Sequence, residues 1–154
     1  MVEYNPKDKN MNFEVIKDTD FFEMNTRERD DFYQGVEGVL ESVESCEIPV
    51  VMQKDNLLIF CKDNQNVAGF IHITPEKDRE MYVNYIAVKK EYQGRGIASK
   101  LYKKAIENLQ DMQVDRLYAI LFDEYSKKAF CKVGKQKNLA VSEPDFKGQQ
   151  TMSL

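Results

Sequence analysis

The feature that most constrains this chain is a strand pattern that runs into a glycine-bearing loop and out into an amphipathic helix. Residues 80–88 (EMYVNYIAV) are rich in aromatic and β-branched side chains and hold no Gly or Pro, as a central strand would. The loop Gln93-Gly94-Arg95-Gly96-Ile97-Ala98 follows closely. Beyond it Ile97, Leu101, Ala105 and Leu109 recur every four positions with Ala98 and Tyr102 beside them, while Lys100, Lys103, Lys104 and Glu107 take other faces. That spacing predicts a core-facing helix that begins at the loop. Between a strand and a helix, glycines let successive backbone N–H groups turn toward one anion with no Cβ atoms in the way. The helix N-terminus adds about half a positive charge and up to about four unpaired N–H donors, and Arg95 adds a charge-assisted contact. Such a loop suits a diphosphate; an ordinary tight turn without a ligand is the plainer reading of the same six residues.

Other phosphate loops fit worse. The Gly-Lys-Ser/Thr ending of a P-loop is missing, and the third glycine of the dinucleotide fingerprint would fall on Ser99. Asp115, near the spacing of a ribose-binding acid, begins its strand rather than ending one.

Elsewhere, residues 12–17 read as a short strand, and Asp20 with Glu23 as a capping box that opens a helical turn. Over residues 26–45, Phe32, Val36, Val39, Leu40 and Val43 follow helical spacing with acids opposite, despite Gly35 and Gly38. Residues 57–61 and 67–74, separated by polar turn formers at 62–66, predict an antiparallel hairpin, with the next turn at 75–79. Residues 116–122 read as a strand and 123–133 as a second basic helix. Residues 139–142 and 151–154 read as two closing strands around a turn at 144–148. A chain of 154 residues, 42% of them hydrophobic, can bury a full core, so a single domain over 1–154 is expected.

Composition removes several functions. A formal charge of −4 argues against a general nucleic-acid binder, which needs a basic surface. No apolar run approaches the roughly 20 residues of a membrane span, and the N-terminus is polar, so a soluble cytoplasmic protein with no membrane partner is expected. Cys46, Cys61 and Cys131 are odd in number and widely spaced, and His72 is the single histidine, which supports neither a disulfide framework nor a zinc site. The charge is uneven: residues 18–47 hold ten acids against two bases, and residues 89–137 twelve bases against six acids. Either these are solvated faces or each half meets a differently charged ligand.

The sequence resembles the GNAT superfamily of N-acetyltransferases. Its signature, Gln/Arg-x-x-Gly-x-Gly/Ala, is met by Gln93, Gly96 and Ala98 after the strand ending Ile86-Ala87-Val88, and the order of elements from about Asn12 onward follows the family's. The resemblance implies an α+β fold with a mixed, mostly antiparallel central sheet of six to seven strands and about four flanking helices. It implies strands around 86–88 and 117–122 that splay at a bulge and grip a pantetheine arm. It implies acetyl-CoA held by Ile86, Ala87, Val88, Gln93, Gly94, Arg95, Gly96, Ile97, Ala98 and Ser99, with Asp123, Ser126 and Phe130 from the second helix, and no metal. The implied activity is direct transfer of an acetyl group to a primary amine in a ternary complex. An Ile86 or Val88 N–H group would stabilise the oxyanion, a donor worth roughly 3 kcal/mol.

Some positions depart from the family pattern. Where the family often has a general-base carboxylate on the long strand, this chain has Tyr82. Glu80 and Asn84 project to the same side of a regular strand, so Glu80 can act through a water or be a solvated strand end. His72 has the unperturbed pKa of a base but equally suits a structural role. The family's second motif, registered on Gly134, puts Asp123, Ser126 and Phe130 at its Asn, Ala and Tyr positions, so the usual tyrosine acid is missing and water or Tyr125 is left to protonate the thiolate. Cys131 has no histidine near it in sequence that would activate it. The acidic segment corresponds to the part that shapes acceptor sites in this family, which favours a cationic acceptor, a small-molecule or peptide amine. The rival readings are a non-catalytic acyl-CoA-binding or regulatory module and a pyrophosphate-bearing nucleotide enzyme. Edges at the C-terminal strands leave a homodimer open.

Overall fold

A computed structural model describes residues 11–44, 50–120 and 123–154. Six strands lie side by side in chain order: β1 (Met11–Lys17), β2 (Leu57–Asp63), β3 (Asn66–Lys77), β4 (Glu80–Val88), β5 (Arg116–Ile120) and β6 (Gln149–Ser153). Every neighbouring pair is antiparallel except β4 and β5, which run parallel. The α-helices are α1 (Asp18–Phe22), α2 (Thr26–Ser42), α3 (Ile97–Asp111) and α4 (Glu124–Gln136). This is the α+β architecture expected, a mixed and mostly antiparallel sheet with helices on both faces.

The continuous apolar run Leu57 to Cys61 on β2 is buried throughout, because both faces of the sheet are covered. On one face Leu101, Ile106 and Leu109 of α3 and Phe130 of α4 pack on Ile59, Ile71, Ile73 and Leu117. On the other, Phe21, Phe32, Val36 and Val39 of α1 and α2 pack on Leu58, Phe60 and Phe70. The Phe32 ring lies 5.0 Å from Phe21 and 5.4 Å from Phe60, which ties both helices to the sheet. Burying each such side chain contributes about 1.5–3 kcal/mol.

Several boundaries differ from those read in the sequence, each for a local reason. α1 begins at Asp18, so Asp20 sits in its first turn and accepts from the Lys17 N–H at 2.9 Å, rather than capping toward Glu23. The reciprocal capping box belongs to α2: Asn25 Oδ1 accepts from Glu28 N–H at 2.9 Å and Glu28 Oε1 accepts from Asn25 N–H at 3.2 Å. The β2–β3 turn narrows to Asn64 and Gln65, with Asn64 left-handed at φ 56°. β3 continues through Pro75 to Lys77; β2 pairs with it only up to Ile73, so Pro75 lies where the missing N–H leaves no β2 partner unsatisfied. Residues 139–142 make a single bridge, Val141 with Met152, in place of a strand. Residues 45, 121 and 122, read as the ends of a helix and a strand, lie outside the described residues, as does Cys46.

Gly69 on β3 sits opposite Val88, and a Cβ there would stand 2.7 Å from the Ala87 carbonyl oxygen. Gly69→Ala should therefore push the end of β4 away and destabilise the fold by about 1–3 kcal/mol in chemical denaturation. An unchanged midpoint would contradict this close approach.

Candidate active site

β4 positions the site. It pairs with β3 along its length, but with β5 only through Glu80, Met81 and Tyr82, opposite Arg116, Leu117 and Tyr118. Beyond Tyr82 the two parallel strands part. The β3 register steps between His72 opposite Tyr85 and Ile73 opposite Val83, which makes Asn84 an extra residue on β4, a β-bulge. Its effect shows in the cores that the side chains join. Met81 and Val83 pack on the α3 side; after the bulge Ile86 and Val88 take that side, and Tyr85 and Ala87 turn to the α2 side. The Lys89 N–H donates to Ala68 O at 2.8 Å, toward β3. Strand alternation gives Ala87 the same direction and turns the Ile86 and Val88 N–H groups to the opposite edge, into the gap.

The loop beyond β4 is held from below. Gln93 Nε2 donates to Val88 O at 3.0 Å, Tyr92 Oη donates to Asp63 at 2.9 Å, and the Arg95 guanidinium lies 5.0 Å above the Tyr92 ring. Gly94 and Gly96 are left-handed at φ 82° and 76°, which other residues adopt at a cost, and a Cβ on either would meet nothing within 4 Å. Gly96 caps α3, whose own first turn contains no acid to compete for the leading N–H groups of Ile97, Ala98 and Ser99.

A cleft of about 580 Å³ runs along this edge. Ile86, Ala87, Val88, Gln93, Gly94, Gly96, Ile97, Ala98 and Ser99 line one side, with Asp123 and Ser126 at the start of α4. Asp123 caps that helix, accepting from Ser126 N–H at 2.7 Å and Ser126 Oγ–H at 3.1 Å. Two of the residues expected to hold the cofactor are not in the wall. Arg95 stands on Tyr92, and Phe130 is fully buried with its ring 5.4 Å from Tyr102, so it backs the cleft instead of lining it. The sequence reading missed Val43, Tyr85, Tyr92, Lys128, Ala129 and Lys132. A signal was present in α4: Tyr125, Lys128, Ala129 and Lys132 recur at helical spacing and so share one face.

The catalytic candidates do not converge. Tyr125 lies in the cleft wall and is 79% exposed. Glu80 stands at the paired end of β4, where it accepts from Tyr118 Oη at 3.0 Å and meets Arg116 at 3.6 Å. Tyr82 is half-buried opposite Tyr118, its hydroxyl pKa raised by burial and by Glu76. His72 is buried, with Nε2 2.8 Å from Asn56 Oδ1 and Nδ1 3.0 Å from Asn84 Nδ2, so both ring nitrogens are occupied. Cys131 Sγ lies 3.7 Å from Gln150 Nε2 and outside the cleft wall. Among the described residues no three His, Cys, Asp or Glu side chains are grouped to hold a metal, and no helix is long and apolar enough to cross a membrane.

Burial pushes the His72 imidazole down from 6.5 to about 4. Between those values the unfolded chain binds a proton that the folded chain does not, so this contribution to stability is complete above pH 6.5. It is lost as pH falls toward 4, by about 3 kcal/mol in all. Because His72 is the single histidine, His72→Asn should flatten the fall in denaturation free energy between about pH 7 and 4.5. An equal slope in both proteins would contradict a neutral, buried imidazole.

The profile of the acetyltransferase (GNAT) family matches residues 20–134, more than half of the chain. No curated protein sequence matches. Among solved structures, an acyl-CoA N-acyltransferase from Pseudomonas aeruginosa superposes with a TM-score of 0.63 at 10% identity, over 93% of this chain and 98% of that one. The catalytic domain of the Tetrahymena GCN5 histone acetyltransferase in complex with coenzyme A gives 0.60 at 17% identity, over 93% and 91%. A GNAT-family acetyltransferase from Staphylococcus aureus gives 0.58 at 12% identity, over 93% and 99%. Those likenesses show the same fold, and with the profile match over the strand, the glycine loop and α3 they lead to one conclusion: the chain belongs to the acetyltransferase (GNAT) family.

Proposed function

We propose that the chain binds acetyl-CoA beside β4 and moves the acetyl group to a primary amine while both are bound. The observation that carries this reading is the gap between β4 and β5, which opens onto the glycine loop and so sets unpaired backbone donors along one cleft. The chain's own features fit an acyl-CoA: open space over Gly94 and Gly96, an acid-free first turn on α3, and Lys128 and Lys132 across the cleft. The loop N–H groups from Gly94 to Ser99 hold the pyrophosphate, and Ile86, Ala87 and Val88 hold the pantetheine arm by their backbone. The two lysines offset phosphate charge.

When bound, acetyl-CoA supplies an acyl group activated as a thioester. The Ile86 or Val88 N–H in the gap holds the carbonyl oxygen as an uncharged amine attacks, a fixed donor worth roughly 3 kcal/mol. Holding both reactants in one cleft adds the gain of a near-attack geometry. Water takes the amine proton, and Tyr125 at the open side of the cleft, or water, protonates the departing thiolate. The acids concentrated over residues 18–47, which include α1 and α2, favour a cationic acceptor, either a small-molecule or a peptide amine. The second reading is a non-catalytic acyl-CoA-binding module. It is favoured by the absence of a hydroxyl at Phe130 and by Glu80 and His72 being engaged elsewhere.

Acetyl-CoA at a hundred times its Kd should stabilise the protein by about 2.7 kcal/mol in thermal unfolding, ATP and NAD should not, and Gly96→Glu should remove the effect. Replacing Lys128 and Lys132 together by alanine should weaken CoA binding about five- to tenfold and leave kcat at saturation unchanged. With polyamines, aminoglycosides or lysine peptides the protein should release free CoA thiol. Binding without release from any of these amines would leave the non-catalytic module, and stabilisation by ATP or NAD alone would overturn both readings.

A further inference from the structure

One set of buried polar side chains has no part in that chemistry, and it meets at the β4 bulge. His72 and Asn56 are 1% and 4% exposed. A single protonation pattern satisfies both contacts of the imidazole: Asn84 Nδ2–H donates to Nδ1 at 3.0 Å, and Nε2–H donates to Asn56 Oδ1 at 2.8 Å. Asn56 is itself pinned. Its N–H donates to Gln53 O at 3.1 Å, its side-chain amide to Lys54 O at 3.3 Å, and its carbonyl accepts from Asp18 N–H at 3.2 Å. Asp18 Oδ2 also accepts from Asp55 N–H at 2.7 Å. A continuous chain of hydrogen bonds therefore runs from the start of α1, across β3, to the extra residue of β4.

We propose that His72 and Asn84 are positioning residues, and that the Asn56–His72–Asn84 chain fixes the bulge and with it the direction of the Ile86 and Val88 N–H groups. A bulge is one extra residue, and moving it by one position turns the following backbone over. A bulge shifted past Tyr85–Val88 would aim the Ile86 and Val88 N–H groups at β3 and the Ala87 N–H into the gap. Apolar packing holds this stretch only in part: Ala87 is buried and Tyr85 stacks on Phe70, but Tyr85, Ile86 and Val88 are half-buried. The directional bond from Asn84 to a ring held at its other nitrogen admits one register. The start of α1 and the β4 backbone proposed to hold the acyl group are thus joined through one imidazole.

The effect on rate rests on the acetyl-transfer reading; the effect on backbone order does not, so both are measured. Asn84→Ala and His72→Gln break the link to the bulge, whereas His72→Asn keeps an acceptor near the Nδ1 position. The two breaking variants should lower kcat at least about tenfold with the CoA Kd within about threefold, and His72→Asn should recover most of that loss. Amide hydrogen exchange at Tyr85 and Ala87 should quicken at least about tenfold in Asn84→Ala. If His72→Gln fails to fold, Asn84→Ala, at a half-buried position, carries the test alone. Wild-type exchange in Asn84→Ala would overturn the clamp, and faster exchange with wild-type kcat would overturn its role in catalysis. If the wild-type protein releases no thiol with any amine, the transfer reading fails, and the exchange data alone then decide whether the chain fixes the bulge.

Discussion

Backbone pairing between β4 and β5 stops at Tyr82 and Tyr118, and most of what the molecule can do follows from that stop. Parallel strands normally satisfy one another's N–H and C=O groups along their length, and a strand left unpaired inside a fold carries an energetic cost. The cost is tolerable here because β4 keeps β3 as a full partner on its other edge, and the start of α3 and one face of α4 line the gap without filling it. The result is a strip of unpaired backbone along a cleft that ends at a helix N-terminus. Both ends offer N–H donors, which suits a long ligand with an acyl group at one end and phosphates at the other.

The sequence made much of this legible, and physical reasons separate what it showed from what it hid. β4 and α3 were read with near-correct bounds because aromatic and β-branched content marks one and a four-residue apolar recurrence marks the other. The glycine loop was readable because a left-handed backbone at Gly94 and Gly96 restricts the residue type. The capping box was misplaced because Asp20 and Glu23 fit the same spacing as Asn25 and Glu28, and only the observed hydrogen bonds separate the two. The closing segment at 139–142 has strand-like residues but bridges β6 only at Val141, a tertiary outcome that local propensity does not contain.

Side-chain candidates fared differently from backbone ones. The residues proposed to hold acetyl-CoA lie close in sequence, within one strand, one loop and two helix starts, so knowing the elements brought most of them together. The proposed acids and bases depended on partners distant in sequence. Glu80 meets Tyr118 and Arg116 across a strand pair, and His72 meets Asn56 and Asn84 from two other elements. Periodicity gives the face of a strand but not which neighbour occupies each nitrogen or oxygen. Catalysis that relies on fixed backbone donors and on proximity is consistent with this arrangement, since neither requires a free general base.

The central claim is that the β4 gap and the loop after it are two ends of one acyl-CoA site. Titrating coenzyme A into isotope-labelled protein while following backbone amide resonances tests that claim most directly. The Ile86 and Val88 amides and the Gly94, Gly96 and Ile97 amides should shift together along one saturable curve. Shifts at the loop with none at Ile86 and Val88, or no saturable shift at either, would contradict it.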